Sequence, residues 1–554
     1  MYATSLGTQN LRSEVRIPNT IRPLAKVLRD AGYWTAQRGK TDYNFEPNGL
    51  FDYWKQDTAP WQAAPKDKPF YAFMNLGSTH EGSGNLSDRA APALERLPEN
   101  AKHDPQEVRL PPYYPDTPEM RRIWARYHDL ISVFDRDVGE VLDRLAEHGH
   151  DDDTIVFLMA DHGMGLPRYK RWLYLTGLHV PLIIHVPRRF QHLLYDEGAS
   201  SVRNELVSYV DLPATVLKFA GIQQPALFKG YPLFEQQQRK YVFGARDRAD
   251  DMYDLSRCVF DGRYLYIRHY LPHQVPMQEG VIMSDYRKES HKELARIHRE
   301  GRDTEQSRKL WEPRPHEELY DILKDPQELK NMADDGQFSG IKSQLHSKLR
   351  QWIVKTRDCG FMPEPEMHRR ANESGSTPYE ILQDATQYPI ETILNAAEQA
   401  SDPEAPTITD DSHPVVSYWA IQQRIIRGNH EPSDIEFLTQ QVANSNPTVR
   451  ATAAEALARI GYENRAAPVF RELLKETEPN LLLYVARSLA VSFDDVDLLE
   501  SDIRSARQRM LAPDGASRRW KDFTYSAFTT WALEWALIKS GKNTPEDFGL
   551  RDHL

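Results

Sequence analysis

The chain has 554 residues, 40% of them apolar and 27% charged, with 37 prolines and a formal net charge of −12. That length predicts two to four domains, and the acidic balance excludes a general nucleic-acid binder, which needs a basic face. Two cysteines, Cys258 and Cys359, exclude a disulfide framework, and no apolar run reaches the roughly 20 residues of a membrane helix.

The opening MYATSLGTQNLRSEVRIPNT carries no basic region followed by an apolar one, so it does not read as a signal peptide, and no buried strand precedes Tyr33. In RPLAKVLRDA the apolar Leu24, Val27, Leu28 and Ala31 fall at helical spacing. Gly32 caps that helix, and YWTAQRGK reads as a strand running into Lys40-Thr41-Asp42. KPFYAFMNLGSTHEG predicts a strong strand from Phe70 to Leu76 that delivers His80 and Glu81. Proline and charge between Leu86 and Pro118 predict a long surface excursion. Ile123, Tyr127, Leu130, Phe134, Val138, Val141 and Leu145 then predict an amphipathic helix over 119–148. TIVFLMA, beginning at Thr154, predicts a strand buried on both faces that stops at Asp161-His162-Gly163. A loop carries Lys170-Arg171, and VPLIIHVP returns as a second apolar strand.

Strand, helix and strand alternate, and polar groups gather just past the strand ends at 40–42, 80–81 and 161–162. Any one cluster is weak; a strand-end D-H-G by itself fits a capped turn beside a solvated lysine. Three together predict an α/β fold, a doubly wound, mostly parallel sheet with one site along its C-terminal edge. An acid, an imidazole and a lysine within ten positions suit a metal ion held next to an anion.

Further on, LVSYVDLPATVLKFAG predicts a helix over 206–221, and residues 241–271 alternate as an antiparallel hairpin turning at Asp261-Gly262. The polar 275–315 reads as loop or short helices, EELYDILKDPQELKNMA as a turn entering a helix, and 338–356 as a helix. These predict a small antiparallel α+β subdomain over 241–364. The acidic, proline-bearing 365–411 reads as a linker. Beyond it SHPVVSYWAIQQRIIRG, SNPTVRATAAEALARIG and TEPNLLLYVARSLAVSF align on Pro414, Pro447 and Pro479, at intervals of 33 and 32 residues. A period of that size built from helix pairs predicts an all-α solenoid of HEAT-like repeats over 412–545.

The segments LAKVLRDAGYWTAQRGK, FYAFMNLGSTHE, TIVFLMADHG with KRWLYLTGLHVPLIIHVP, and EELYDILKDPQELKNMA together resemble the sulfatases of the alkaline phosphatase superfamily. The similarity runs from Met1 to about residue 370. The resemblance implies that Asp161 and His162 bind a divalent cation, usually calcium, although asparagine is the commoner second ligand. It implies that Lys170 contacts the sulfate group and that Lys40 is the lysine of the family's G-K motif, beside nucleophile and sulfate. Asp42 stands where many relatives have a histidine. His80 matches the histidine proposed to protonate the leaving alcohol. The chemistry accords with this: fixed cations stabilise the charge spread over three sulfate oxygens as the S–O bond breaks, and imidazole suits proton donation.

The family also uses a C/S-x-P-x-R motif, whose cysteine matures to formylglycine, and an earlier aspartate pair. Cys258 begins CVFDG and Cys359 begins CGFMP, and neither fits the motif. The resemblance therefore implies that 1–240 is a sulfatase-like α/β domain lacking its first strand and nucleophile segment. Such a polypeptide is expected to be an inactive, poorly stable fragment with unpaired strand edges. By family it is a sulfuric ester hydrolase acting on a sulfated small molecule or polysaccharide, with Arg246, Arg248, Asp250 and His273 as candidates for substrate recognition. Phosphodiester or phosphonate hydrolysis is the alternative within the superfamily. A pseudoenzyme whose helical repeats recruit a protein partner is the alternative outside it. Relatives are usually exported, to the periplasm or outside the cell.

Overall fold

The computed structural model describes residues 1–13, 15–39, 43–45, 47–194, 202–235, 239–278, 280, 288–410, 412–428, 430–511 and 525–550. A parallel trio opens the chain: β1 (Trp34–Arg38) lies between β2 (Tyr53–Trp54) and β3 (Phe70–Met74). Its register with β3 runs from Trp34 opposite Phe70 to Arg38 opposite Met74. Being central, β1 buries Trp34 to Gln37 completely. The helix Leu24–Asp30 packs Val27 and Leu28 against Leu217 of the helix Asp211–Phe219 and against Tyr71 of β3.

The predicted amphipathic helix spans Pro118–Glu147 and is capped by Thr117, whose Oγ1 accepts the Met120 amide at 3.1 Å. It buries Met120, Ile123, Leu130 and Val133. Near its end Leu145 meets Trp61, Phe70, Ala72 and Met74 on one side and Val156 on the other. Thus β3 and β4 (Val156–Met159) border one apolar cluster.

β4 pairs antiparallel with β5 (Leu182–His185), from Val156 opposite His185 to Met159 opposite Leu182, as a separate two-stranded sheet. Among the described residues no strand pairs with the second edge of β3 or of β4. Every residue of Phe70–Met74 and Val156–Met159 is only partly buried. The expectation that TIVFLMA is buried on both faces is thereby corrected. An apolar strand reaches full burial only when neighbouring strands and covering helices flank it completely, as β1 shows.

The second sheet is antiparallel, in the order β6 (Val242–Arg246), β7 (Ser256–Phe260), β8 (Tyr264–His269), β9 (Glu317–Asp321). The β7–β8 turn is at Asp261-Gly262: Gly262 has φ +99, and Asp261 Oδ1 accepts the amides of Arg263 and Tyr264 at 2.9 and 2.7 Å. β9 contains EELYD, read above as a turn entering a helix. It is a strand because tertiary partners hold it: Glu318 accepts from His269 of β8 at 2.8 Å, and Leu319 is fully buried.

Most of 365–401 is helical rather than a linker. It contains the helices Glu364–Ser374, Pro378–Gln383 and Ile390–Ser401, which bury Met367, Ile381, Leu382, Ile393 and Leu394. Those side chains belong to one core running from Val259 and Tyr266 of the second sheet to Leu537. The acidic surface residues of this stretch masked apolar positions three and four apart. Likewise the excursion between Leu86 and Pro118 holds the helix Ser87–Leu94 and buries Tyr113 and Tyr114 against Trp124. The repeats form as predicted: Pro414, Pro447 and Pro479 each begin a helix, ending at Arg427, Arg459 and Ser492. Proline at that position forfeits no hydrogen bond. No described helix is long and apolar enough to cross a membrane.

Candidate active site

Of two close approaches that only glycine permits, one folds the loop after β4 on itself and the other brings it against the end of β3. A Cβ on Gly163 would stand 2.0 Å from Thr176 O, and one on Gly165 would stand 2.4 Å from Glu81 Cβ. The Gly163 amide donates to Gly177 O at 3.1 Å, and Asn85 Nδ2 donates to Gly165 O at 2.6 Å. The loop after β4 is therefore folded onto the short helix Glu81–Asn85 that follows β3. His80 caps that helix, its Nδ1 accepting the Gly82 amide at 3.1 Å.

Asp161 and His162 stand just past the end of β4. The Asp161 side chain is 84% exposed, with Oδ2 3.4 Å from His162 Nε2. His162 Nδ1 lies 2.7 Å from Gly163 O, which makes it the protonated nitrogen and leaves the Nε2 lone pair toward Asp161. Burial, and then the charge of Lys170, push the His162 pKa down despite Asp161, so the ring is neutral near pH 7. A carboxylate and a neutral imidazole with converging lone pairs offer a cation two donors. Calcium takes six to eight oxygens, and among the described residues no group of three His, Cys, Asp or Glu side chains is arranged to hold a metal. These two residues alone do not fit a calcium ion.

A buried ionic cluster is centred on Glu81. Its carboxylate meets Lys170 Nζ at 3.0 Å, Arg171 Nη1 at 2.7 Å and Lys288 Nζ at 2.6 Å. Burial alone would raise the Glu81 pKa; Arg171, Lys288 and Lys170 outweigh it and hold the carboxyl far below its ordinary range. Arg171 also reaches Asp250 at 3.0 Å, and Asp250 in turn binds Arg12. Burial would raise Asp250 too, but Arg171 and Arg12 keep it ionised. Lys170 and Arg171 are 11% and 16% exposed, and both charges act on His162.

Of the residues singled out in the sequence, the structure joins Asp161, His162, Lys170, the His80–Glu81 pair and Asp250 into this one region. Lys40, with Asp42, lies outside the described residues. The other three substrate candidates lie elsewhere, Arg246 and Arg248 of them in the interior. Arg248 forms a two-pronged pair with Glu364 at 2.6 and 2.8 Å. Arg246 pairs with Asp254 at 3.0 Å beneath the Trp172 ring, and burial pushes its pKa down to about 10. His273 is half-buried, and desolvation, with Arg459 and Arg314 adding to the effect, pushes its pKa down to about 3. The sequence reading attached no role to Arg12, Arg171 or Lys288. Arg171 adjoins Lys170, but nothing local to Arg12 or Lys288 announces a partner across more than two hundred residues.

The sulfatase family profile matches residues 1–222, and that of HEAT repeats matches 405–490. An ulvan-active sulfatase of Formosa agariphila is 30% identical over 418 residues, 66% of this chain and 67% of that protein. Human N-sulphoglucosamine sulphohydrolase is 25% identical over 318 residues, 53% of this chain and 62% of its own length. A solved 2-O GAG sulfatase covers 65% of this chain and 82% of its own, at 19% identity and a TM-score of 0.42. Membership of such a family implies, in general terms, a metal ion and formylglycine. The chain belongs to the sulfatase family, with HEAT repeats following the sulfatase part.

Proposed function

We propose that the Glu81-centred cluster is the anion cradle of a sulfuric ester hydrolase for sulfated carbohydrates. The observation that supports this reading is the 3.0 Å contact of Lys170 with Glu81, which ties the lysine of one β–α unit to the residue that follows His80 in another. In this reading Lys170 faces the sulfate oxygens and stabilises charge developing as the S–O bond breaks. Arg171, fixed between Glu81 and Asp250, deepens the positive potential. His80 hands a proton to the leaving alkoxide from Nε2, because its Nδ1 is committed to the Gly82 amide. Asp161 and His162 would supply two of the donors of a cation site, which needs further ligands beyond them. The relatives' names speak of ulvan and N-sulphoglucosamine and support a sugar substrate.

Within residues 1–554 no C/S-x-P-x-R motif occurs, so this polypeptide is proposed to bind sulfate esters without turning them over. Purified 1–554 is expected to release no alcohol from an aryl sulfate and to bind a sulfated oligosaccharide in calorimetry. Lys170→Ala should weaken that binding at least tenfold, a loss of about 1.4 kcal/mol. Measurable turnover would refute the first expectation, and equal binding by Lys170→Ala the cradle itself. With the motif supplied on a longer chain, aryl sulfate should be hydrolysed faster than a matched aryl phosphodiester; the opposite order would favour the phosphoryl alternative.

A further inference from the structure

We infer that the last helix of the repeat unit, Tyr525–Lys539, is a positioning element of the anion cradle, acting through Tyr525 and the Arg248–Glu364 pair. The inference rests on the cradle reading above for its functional meaning, and on an unbroken series of buried contacts for its mechanics. Tyr525 donates its hydroxyl hydrogen to Glu364 Oε1 at 2.7 Å, with Ser13 O also within 3.2 Å. Glu364 holds the Arg248 guanidinium in the two-pronged pair already described, and Arg248 Nη1 donates to the backbone carbonyl of Asp250. Asp250 holds Arg12 and Arg171, Arg171 holds Glu81, and Glu81 holds Lys170.

A second route leads to the same aspartate. The Arg248 amide donates to Asn10 Oδ1 at 3.2 Å, and the Leu11 amide donates to Arg248 O at 3.0 Å. With Tyr525 close to Ser13 O, the segment that presents Arg12 to Asp250 is clamped between Arg248 and the repeat unit. The Tyr525 and Phe528 rings lie 5.3 and 5.8 Å from the Arg248 guanidinium and close its other face. Asp250 has φ +57, a left-handed conformation that a non-glycine residue keeps only when its surroundings hold it. The Arg248 contact to its carbonyl supplies that hold.

Buried networks of charge-assisted hydrogen bonds stiffen as a unit, and loosening one member loosens those beyond it. The repeats are thus part of the site's scaffold rather than a detachable appendage. The test is hydrogen exchange on the full chain, read by peptide mass spectrometry without any ligand. Tyr525→Phe removes only the hydroxyl. Amides in 80–85 and 161–171 should then exchange on the order of tenfold faster, the effect of losing one hydrogen bond to a charged group. Amides of β7 and β8 should stay unchanged. Glu364→Gln should act in the same direction, and Arg248→Lys, which cannot make the fork and reach Asp250 together, should act more strongly. Arg450→Ala, which breaks an exposed pair with Glu472 in the same repeat unit, should leave both loops untouched. Faster exchange confined to 364–374 and 525–539, or equal loosening by Arg450→Ala, would overturn the inference. Because no ligand is present, a failure of the cradle to bind sulfate esters would be seen separately and would not alter this readout.

Discussion

Glu81 is the residue on which the site's geometry depends most directly, and its removal gives the most quantitative prediction. Three cations lie within 3.0 Å of a carboxylate that is itself almost wholly buried. At an effective dielectric of about 20, each such contact is attractive by on the order of 5 kcal/mol before desolvation is counted. Desolvating four ions offsets most of this, so the intact cluster contributes little net stability. Breaking it is another matter. Glu81→Gln preserves shape and a carbonyl acceptor but leaves Lys170, Arg171 and Lys288 facing one another without their common counterion. The expected loss is about 3–5 kcal/mol, the range for stripping one partner from a buried pair. Urea unfolding at pH 7 measures it, and a double variant checks the cause. Adding Lys288→Met restores the original charge balance and should recover at least about half of the loss, since it removes a like charge as well. A cost below about 1 kcal/mol for Glu81→Gln, or a double variant no better than the single one, would refute the idea that charge balance holds this cluster.

Other expectations follow from separate parts of the fold. Gly165→Ala drives a Cβ into the backbone and Cβ of Glu81, 2.5 and 2.4 Å away, and should cost roughly 2 kcal/mol or more in urea unfolding. Neither partner is a flexible side-chain end that could yield. Asn446→Ala removes the cap that accepts the Thr448 and Val449 amides at 3.0 and 3.2 Å, together with a 2.7 Å bond to Glu366. It should destabilise the second repeat by about 1–2 kcal/mol, read from the urea midpoint. Glu328 is pushed up to about 7 by burial, although it accepts the Leu175 amide at 2.6 Å. A folded-state pKa above the unfolded one means that the folded form binds the proton more tightly. Its contribution is therefore fully present at about pH 4 and lost as pH rises through about 7. Relative to Glu328→Gln, the wild type should lose up to about 3 kcal/mol of stability between about pH 4 and pH 8; a wild-type stability that stays constant or rises relative to the variant over that range would contradict this sign.

The sequence by itself determined whatever depends on short-range spacing. Helical periodicity placed the Pro118–Glu147 helix to within a residue or two, and the three repeat helices followed from Pro414, Pro447 and Pro479, because proline at the first position of a helix forfeits no hydrogen bond. The polar groups past the strand ends were legible too, since a buried apolar run cannot absorb an Asp-His pair. Only the tertiary structure decided what those groups touch. EELYD became a strand because Glu318 found His269, and 365–411 became core because its apolar positions met Trp419 and the second sheet. Arg248, chosen as a ligand for sugars, was taken by Glu364, whereas Arg12 and Lys288 were drawn into the Asp250–Glu81 cluster from far along the chain. A charged side chain reads the same in sequence whether it meets solvent, substrate or a buried counterion. The desolvation that separates these fates exists only once the chain has folded around it.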